Sequence, residues 1–366
     1  MILSGGGTGG HIYPALAVAQ ALRQEMGSDG PPELLYVGVP GRMDESIVGE
    51  AGLALATVRA GPLRVGSPLA MLRGVANLAV GTVQAWRLLG RFRPDVVFAT
   101  GGYASVPVGV AARWRRLPLL VYLPDVRPGW AVRLLSRLAT RIATTTERSL
   151  SELPADKGVA VGYPVREAFW SANRDEARRR LGLPQDGKVL LVSGASQGAH
   201  SLNLAVSDQL DALLDVCHVL HLTGADDEAS GHARRDALPE AKRARYHVFG
   251  FLEQMADAMA AADLAVMRSG ASVLGELPAV GLPAILVPGV YEGGYDQREN
   301  ARFLEEQGAA LVLEHDRLPH LADSVRELLA DDRKRRAMAE AVRRLAQPDA
   351  AKRIARMLRD TSEAPA

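Results

Sequence analysis

Ser4-Gly5-Gly6-Gly7-Thr8-Gly9-Gly10-His11 and Ser193-Gly194-Ala195-Ser196-Gln197-Gly198-Ala199-His200 share one pattern, S-G-x-x-x-G-x-H. The first follows the apolar stub Ile2-Leu3, the second the apolar run Lys188–Val192, and each opens a helical pattern. A glycine loop between a strand and a helix lets backbone amides approach a ligand, and its recurrence points to two domains of one design. Outward from the two loops, apolar runs of strand length alternate with helical stretches. Leu34–Gly38, Asp95–Ala99, Leu119–Leu123 and Arg141–Thr145 read as strands in the first half. Val189–Ser193, His218–Thr223, Leu264–Met267, Ala284–Val287 and Ala310–Leu313 read as strands in the second. Repeated strand–loop–helix units mean parallel sheets with helices on both faces. The expected class is therefore α/β, with two Rossmann-like doubly wound sheets. The boundary is expected near Gly162-Tyr163-Pro164, just ahead of the helical Asp175–Leu181, giving domains 1–163 and 164–345. Residues 346–366 read as a closing helix with no strand after it.

The 366 residues are 48% hydrophobic, 23% charged and 5% aromatic. That is enough apolar mass for two cores and too much for a disordered chain. Cys217 is the single cysteine, which excludes a disulfide scaffold and a cysteine-based zinc site and fits a reducing compartment. Met1-Ile2-Leu3 runs straight into a glycine loop, so no secretory signal is expected. Val96–Ala112, an uncharged stretch broken by glycines and a proline, is shorter than the roughly 20 apolar residues of a spanning helix, so no membrane crossing is expected. The net charge of +1 hides an asymmetry. Residues 1–163 carry 17 Lys and Arg against 11 Asp and Glu, whereas residues 164–366 carry 26 against 31. A basic half joined to an acidic half suggests that only one of them meets an anionic surface.

Three glycine turns could receive a phosphate: Gly5–Gly10, Gly194–Gly198 and Ser269-Gly270-Ala271. Singly each is as well explained as a tight turn; three in corresponding places favour an anionic ligand held between the domains. Gly5, Gly7 and Gly10 match G-x-G-x-x-G, but the second strand ends at Tyr36-Val37-Gly38-Val39-Pro40 without the acid a dinucleotide fold needs. That speaks against a nicotinamide dehydrogenase, and no Walker A lysine follows any loop. His11 sits at a helix start, where the dipole disfavours imidazolium; it is either a proton acceptor or a residue that caps the turn. His200 holds the echoed position, with a structural role the better reading. Glu276, Asp296-Gln297 and Asn300 follow turns and suit sugar hydroxyls, although singly each also reads as a helix-start residue.

Between Glu50 and Asp95 there is no acid, while Arg59, Arg64, Arg73, Arg87, Arg91 and Arg93 occur there. At about 100° per residue, Arg73, Arg87 and Arg91 fall on one helical face. Leu69, Leu72, Ala76, Ala79, Val83, Trp86 and Leu89 form an adjacent apolar stripe, expected for the most part to enter the core. The acid-free arginine face reads as a patch for an anionic surface, phospholipid ahead of nucleic acid because few aromatics accompany it.

Taken together, these residues resemble the MurG family of bacterial peptidoglycan glycosyltransferases, within glycosyltransferase family 28. The resemblance rests on Gly5–His11 with Pro14-Ala15, Gly101-Gly102-Tyr103, Gly162-Tyr163-Pro164-Val165-Arg166 and Ser196-Gln197-Gly198-Ala199. It continues through Arg268-Ser269-Gly270-Ala271 with Glu276, Gly281-Leu282-Pro283, and Asp296-Gln297 with Asn300. It implies a GT-B architecture, two Rossmann-like domains facing a cleft, with the closing helix 346–366 returned to the N-terminal domain. It implies transfer of GlcNAc from UDP-GlcNAc to the C4 hydroxyl of MurNAc in lipid I, with inversion, giving lipid II for cell-wall biogenesis, cell shape and division. His11 would be the catalytic base. Thr8, Gly9, Gly10, Asp125, Arg166, Ser196, Leu252, Ala271, Ser272, Val273, Leu274, Gly275, Glu276, Asp296 and Gln297 would meet the donor. Among these, Leu252 and Ala271 would line the uracil site, Glu276 the ribose, Ser196 and Arg166 the nucleotide and diphosphate. Tyr103 and Asn300 would lie toward the acceptor, Asn300 in a sugar-binding or structural role. Arg73, Arg87, Arg91 and Trp86 would form a membrane patch, placing the protein peripherally on the cytoplasmic face of the cell membrane. No cofactor or metal is expected, no nucleic acid is a partner, and association with other cell-wall synthesis proteins is left open. The chain departs from the family at Tyr122-Leu123-Pro124-Asp125, where a His-Glu-Gln-Asn run is usual. It departs again at Asp296, usually Gln, at His200, often Arg, and at Pro278, which interrupts a helix. The alternatives are another GT-B transferase with a glycolipid acceptor, a GT-B-fold UDP-sugar epimerase, and a non-catalytic UDP-sugar-binding partner.

Overall fold

The computed structural model describes residues 1–6, 9–25, 30, 32–41, 43–61, 68–194, 198–291 and 295–363. The chain forms two compact units. One comprises Met1–Arg166, Tyr291–Tyr295 and Gln347–Ala366, the other Glu167–Val290 and Asp296–Ala346.

The N-terminal unit is built on seven parallel strands. They are β1 (Ile2–Ser4), β2 (Leu35–Gly38), β3 (Ala54–Thr57), β4 (Val97–Ala99), β5 (Leu119–Leu123), β6 (Arg141–Thr144) and β7 (Gly158–Ala160). Their order is β3-β2-β1-β4-β5-β6-β7, with Leu3 beside Tyr36 on one side and Phe98 on the other. Strands β1, β4 and β5 are buried end to end, as parallel strands covered on both faces must be. The helices include α1 (Gly9–Glu25), α2 (Asp44–Glu50), α3 (Pro68–Phe92), α4 (Ser105–Trp114) and α5 (Trp130–Leu138). One core layer joins Leu3, Phe98 and Tyr122 to Ile12, Val18 and Leu22 of α1. The helix Ala350–Glu363 closes this layer with Ile354, Ala355, Met357 and Leu358. The opposite layer packs Ile2, Val97 and Val121 under α3, α4 and α5 through Ala85, Leu89, Val108 and Leu135.

The C-terminal unit repeats the plan. Strands β8 (Val189–Ser193), β9 (His218–Leu222), β10 (Tyr246–Phe249), β11 (Leu264–Arg268) and β12 (Ala284–Val287) run parallel in the order β10-β9-β8-β11-β12, and Ala310–Val312 completes the sheet. In both sheets the strand order reverses beside the first strand, between β1 and β4 and between β8 and β11. In open α/β sheets ligands bind at the carboxyl ends of the strands at such a switch point. All three glycine turns of the sequence lie there.

In the two large sheets three strands were not legible as apolar runs: β3, β7 and β10. Each is an edge strand of its sheet, with partly exposed positions in all three, so none needs the continuous apolar run of a central strand. The helix Val273–Val280 is not interrupted at Pro278; it continues two residues further and stops at Gly281, whose φ of 74° suits glycine.

Candidate functional site

In the N-terminal unit the switch point brings together two glycine turns and one imidazole. His11 lies in the first turn of α1. Its Nδ1 is 2.8 Å from the carbonyl oxygen of Thr100, just after β4. A carbonyl can only accept, so Nδ1 carries the hydrogen, and the neutral tautomer that this bond selects has Nε2 as its acceptor. The bond is reciprocated: Thr100 Oγ1 donates to the His11 carbonyl at 2.6 Å. Gly101 and Gly102 have φ of 94° and 76°. A Cβ on Gly101 would sit 3.0 Å from His11 Cε1, and one on Gly102 would sit 2.2 Å from the Gly6 carbonyl oxygen. Ser105 fastens the turn by donating to the carbonyls of Ser4 and Gly101 at 2.9 and 2.6 Å. Gly9 and Gly10 open α1; Thr8 lies outside the described residues. Tyr103 is half-buried in the same turn. Asp125 is buried just beyond β5. Tyr122, standing in the first position of the departing run, spends its hydroxyl on Thr145 and on the Gly162 carbonyl, and Leu123 is core. Arg166 belongs to this unit, its guanidinium 4.1 Å over the ring of Tyr13 on α1.

In the C-terminal unit Ser269–Gly275 forms a tight turn entering the helix Val273–Val280. The amides of Val273, Leu274 and Gly275 donate to Gly270, Ala271 and Ser272, and Glu276 donates to Ser272. Ala271, Val273, Leu274 and Gly275 are buried, Ser272 is half-buried, and Glu276 is buried in the first helical turn. Gln297 is buried beside this turn: its Oε1 accepts from Gly289 N at 3.1 Å, and its carbonyl accepts from Ser269 Oγ. Asn300 is buried and donates to the Ser269 carbonyl at 3.0 Å, within the C-terminal unit. Asp296 is exposed, accepts from Arg298 N and pairs with its guanidinium at 3.2 Å. Leu252 is half-exposed just after β10, beside an exposed Phe251. Ser196 lies outside the described residues. Gly198, φ 74°, packs its Cα against the Thr223 carbonyl, where a Cβ would approach to 2.5 Å.

His200 opens the helix that follows this loop, and its Nδ1 donates to Asp227 at 2.9 Å. Asn203 Nδ2 donates to Asp227 at 2.7 Å and to the Thr223 carbonyl. Asn203 Oδ1 in turn accepts from His221 Nε2 at 3.0 Å, so His221 Nδ1 accepts from the Tyr246 hydroxyl at 2.8 Å. The hydrogen bonds from Asn203 and His200 hold the Asp227 carboxyl below its ordinary range. Burial pushes His221 down to about 4.

Helix α3 turns an unexpected face to solvent. Gly81, Thr82, Ala85 and Leu89 face inward. A Cβ on Gly81 would fall 1.9 Å from the Arg59 carbonyl oxygen. Most of the stripe expected in the core is outside instead: Leu72, Val83 and Trp86 are 65%, 46% and 43% exposed, joined by Met71, Val75 and Val80. Only its end, Leu89, is core; Leu69 lies where side chains are not described. The small residues win the interior because they let α3 approach α4 closely, and the bulkier face is left over. Arg73, Arg87 and Arg91 are exposed along its edge. No helix among the described residues is long and apolar enough to cross a membrane.

Residues 1–144 match the glycosyltransferase family 28 N-terminal domain and residues 189–354 the glycosyltransferase family 28 C-terminal domain. This chain belongs to glycosyltransferase family 28. A family relative from Roseiflexus sp. (strain RS-1), named UDP-N-acetylglucosamine--N-acetylmuramyl-(pentapeptide) pyrophosphoryl-undecaprenol N-acetylglucosamine transferase, is 40% identical over 97% of this chain and 93% of its own. Among solved structures, Acinetobacter baumannii MurG superposes with a TM-score of 0.73 at 24% identity, covering 98% of this chain and 99% of that one. A UDP-GlcNAc 2-epimerase from Neisseria meningitidis reaches 0.71 at 16% identity, covering 98% and 99%. Both share the fold, which is GT-B.

Within the family 28 frame, two groups of residues escaped the sequence reading. Thr100 was passed over because a backbone carbonyl carries no side-chain signal. Trp114 and Arg115, at the end of α4, extend the exposed apolar face. Trp114 is 64% exposed, and the Arg115 guanidinium lies 4.1 Å over the Trp86 ring while Nε donates to the Trp86 carbonyl. The run Arg113-Trp114-Arg115-Arg116, an aromatic among arginines at a helix end, is the signal that could have found them.

Proposed function

We infer that this chain is the family 28 enzyme that moves GlcNAc from UDP-GlcNAc to the MurNAc of undecaprenyl-pyrophosphoryl-MurNAc-pentapeptide. The observation that carries the chemistry is His11, oriented by the Thr100 carbonyl so that Nε2 is a proton acceptor at the N-terminal switch point. In the proposed reaction the MurNAc C4 hydroxyl attacks the anomeric carbon of GlcNAc, Nε2 takes the hydroxyl proton, and UDP leaves with inversion. The donor is proposed to bind the C-terminal switch point. The helix starting at His200 offers its first amides to the diphosphate, whose negative charge grows as the bond breaks, and Ser196 is proposed as a further nucleotide contact. Glu276, fixed by its turn, accepts from the ribose hydroxyls; Leu252 and Ala271 flank the uracil; Asp296 and Gln297 border the sugar. Gly9, Gly10, Asp125 and Arg166, with Thr8, are proposed as further donor contacts, and Tyr103 as an acceptor contact. No metal enters the proposal, and turnover should survive EDTA.

The acceptor is proposed to stay in its bilayer while α3 docks peripherally on the anionic cytoplasmic leaflet, Met71, Leu72, Val75 and Trp86 entering the interface and Arg73, Arg87 and Arg91 meeting head groups. Transfer of labelled GlcNAc to a lipid I analogue, with product analysis, tests the reaction. Lipid II formation is the expected result; epimerisation of UDP-GlcNAc without acceptor would overturn it. Vesicle sedimentation tests the docking. Wild type should bind anionic vesicles at low salt, and Arg73→Glu/Arg87→Glu/Arg91→Glu should not; equal partitioning of both proteins would remove the docking claim.

A further inference from the structure

Asp44 opens α2 and is fully buried, with neither carboxylate oxygen in contact with solvent. Two glycines make its room. A Cβ on Gly38 would sit 2.9 Å from Asp44 Cβ, and one on Gly6 would sit 2.8 Å from Asp44 Oδ1. The carboxylate therefore lies directly against the glycine loop. Beyond Gly6 the packing is continuous: the Gly6 carbonyl abuts Gly102, and Gly101 abuts the His11 ring. Beside it Tyr36 is buried, its hydroxyl pushed well above the ordinary tyrosine range by burial first and by the Asp44 charge second. A buried carboxylate costs several kcal/mol unless amide dipoles compensate it. The loop ends in the N-terminus of α1, whose first amides supply the positive end of a helix dipole.

We propose that Asp44 is a positioning residue for the transfer step: from beneath the loop it fixes Gly6 and the start of α1, and so the orientation of His11. This rests on His11 being the base, and the experiment separates the two. Asp44→Asn keeps the shape and loses the charge; Asp44→Ala also opens a cavity that formate can enter. Each is made alone and in a His11→Ala background, and kcat with saturating acceptor, donor KM and UDP affinity are measured. Misplacing a catalytic group by about 1 Å costs on the order of 100-fold. Asp44→Asn should accordingly lower kcat by about 10- to 100-fold with donor KM and UDP affinity within about twofold, and formate should restore part of the Asp44→Ala loss. In the His11→Ala background the same change should cost almost nothing, since residues acting as a unit are not additive. Wild-type kcat in Asp44→Asn, or an equal further loss when His11 is already gone, would overturn the positioning role. Full activity in His11→Ala would instead overturn the base assignment itself. If Asp44→Ala does not fold, Asp44→Asn in the two backgrounds decides.

Discussion

The two units use the same opening and finish it with different partners. Each has an aspartate after its second strand, at the start of the following helix: Asp44 in the first, Asp227 in the second. Asp44 turns inward under its loop, whereas Asp227 sits near the surface and takes His200 and Asn203. The histidines at the echoed position part in the same way. His11 donates to a neutral carbonyl supplied by the fourth strand of its sheet, and His200, 71% exposed at the side chain, donates to a carboxylate. A shared motif thus fixes the backbone, while the element that reaches back to it decides the chemistry. In the first unit the surroundings leave one acceptor nitrogen; in the second they tie the helix start into a hydrogen-bonded chain ending at Tyr246.

The sharpest way to break this contrast is to remove the two histidines in turn. His11→Ala should lower turnover on the order of 10²–10⁴-fold, the contribution of a positioned general base, with UDP affinity unchanged. His200→Ala should leave kcat within a few-fold. Equal losses in the two variants, measured under saturating acceptor, would erase the distinction.

Acid should act on one unit before the other. In the C-terminal unit His221 is buried and His247 half-buried, and both lie down at about 4, from desolvation first. The unfolded chain binds their protons near 6.5, so between about 6.5 and 4 it gains protons that the folded chain refuses, and stability falls as pH falls. For His221 the loss is about 3 kcal/mol by pH 4 at 1.36 kcal/mol per unit. Trp170, the single tryptophan of the C-terminal unit, reports it in urea unfolding followed by fluorescence. His221→Gln should flatten the slope; a slope unchanged in that variant would mean another group is responsible.

Glu276→Ala probes the donor side more gently. A carboxylate bonded to ribose stabilises ground and transition states alike, so donor KM should rise by the equivalent of about 1.5–3 kcal/mol while kcat holds. A collapsed kcat at unchanged KM would move Glu276 into the chemistry. Smallest of all, a single Arg73→Gln should weaken binding to anionic vesicles by about 1 kcal/mol, roughly fivefold, and only at low salt. No change in vesicle partition would confine the docking to the apolar face.

Much of this was legible because central strands must be apolar throughout and glycine loops must sit between strand and helix. Nine strands could be read that way, and the echo of Ser4–His11 in Ser193–His200 announced a second sheet of the same order. Edge strands such as β3 and β10 escaped because half their surface has no need to be apolar. The face of α3 was misjudged for a different reason: periodicity shows that a helix has two faces and not which one is inside. Gly81 and Ala85, the least hydrophobic choices, won the interior by allowing close approach, and Leu72, Val83 and Trp86 were left outside. At the site, His11 and Glu276 were legible as residue types, but Thr100 and Asp44 were not, since one acts through its backbone and the other lies far from the loop in sequence.

The helix Ala350–Glu363 gives its apolar side to the layer that β1 begins. A ribosome delivers these two pieces at opposite ends of synthesis. At about 5–20 residues per second, everything from Glu167 to Ala346 takes roughly 10–40 s to emerge. Throughout that interval Ile12, Val18 and Leu22 lack Ile354 and Leu358, and the nascent first unit is a natural client for a holding chaperone. The half that carries His11 is thus translated first and finished last, so a chain truncated before Ala350 can form both sheets and still never close the core layer of the first unit.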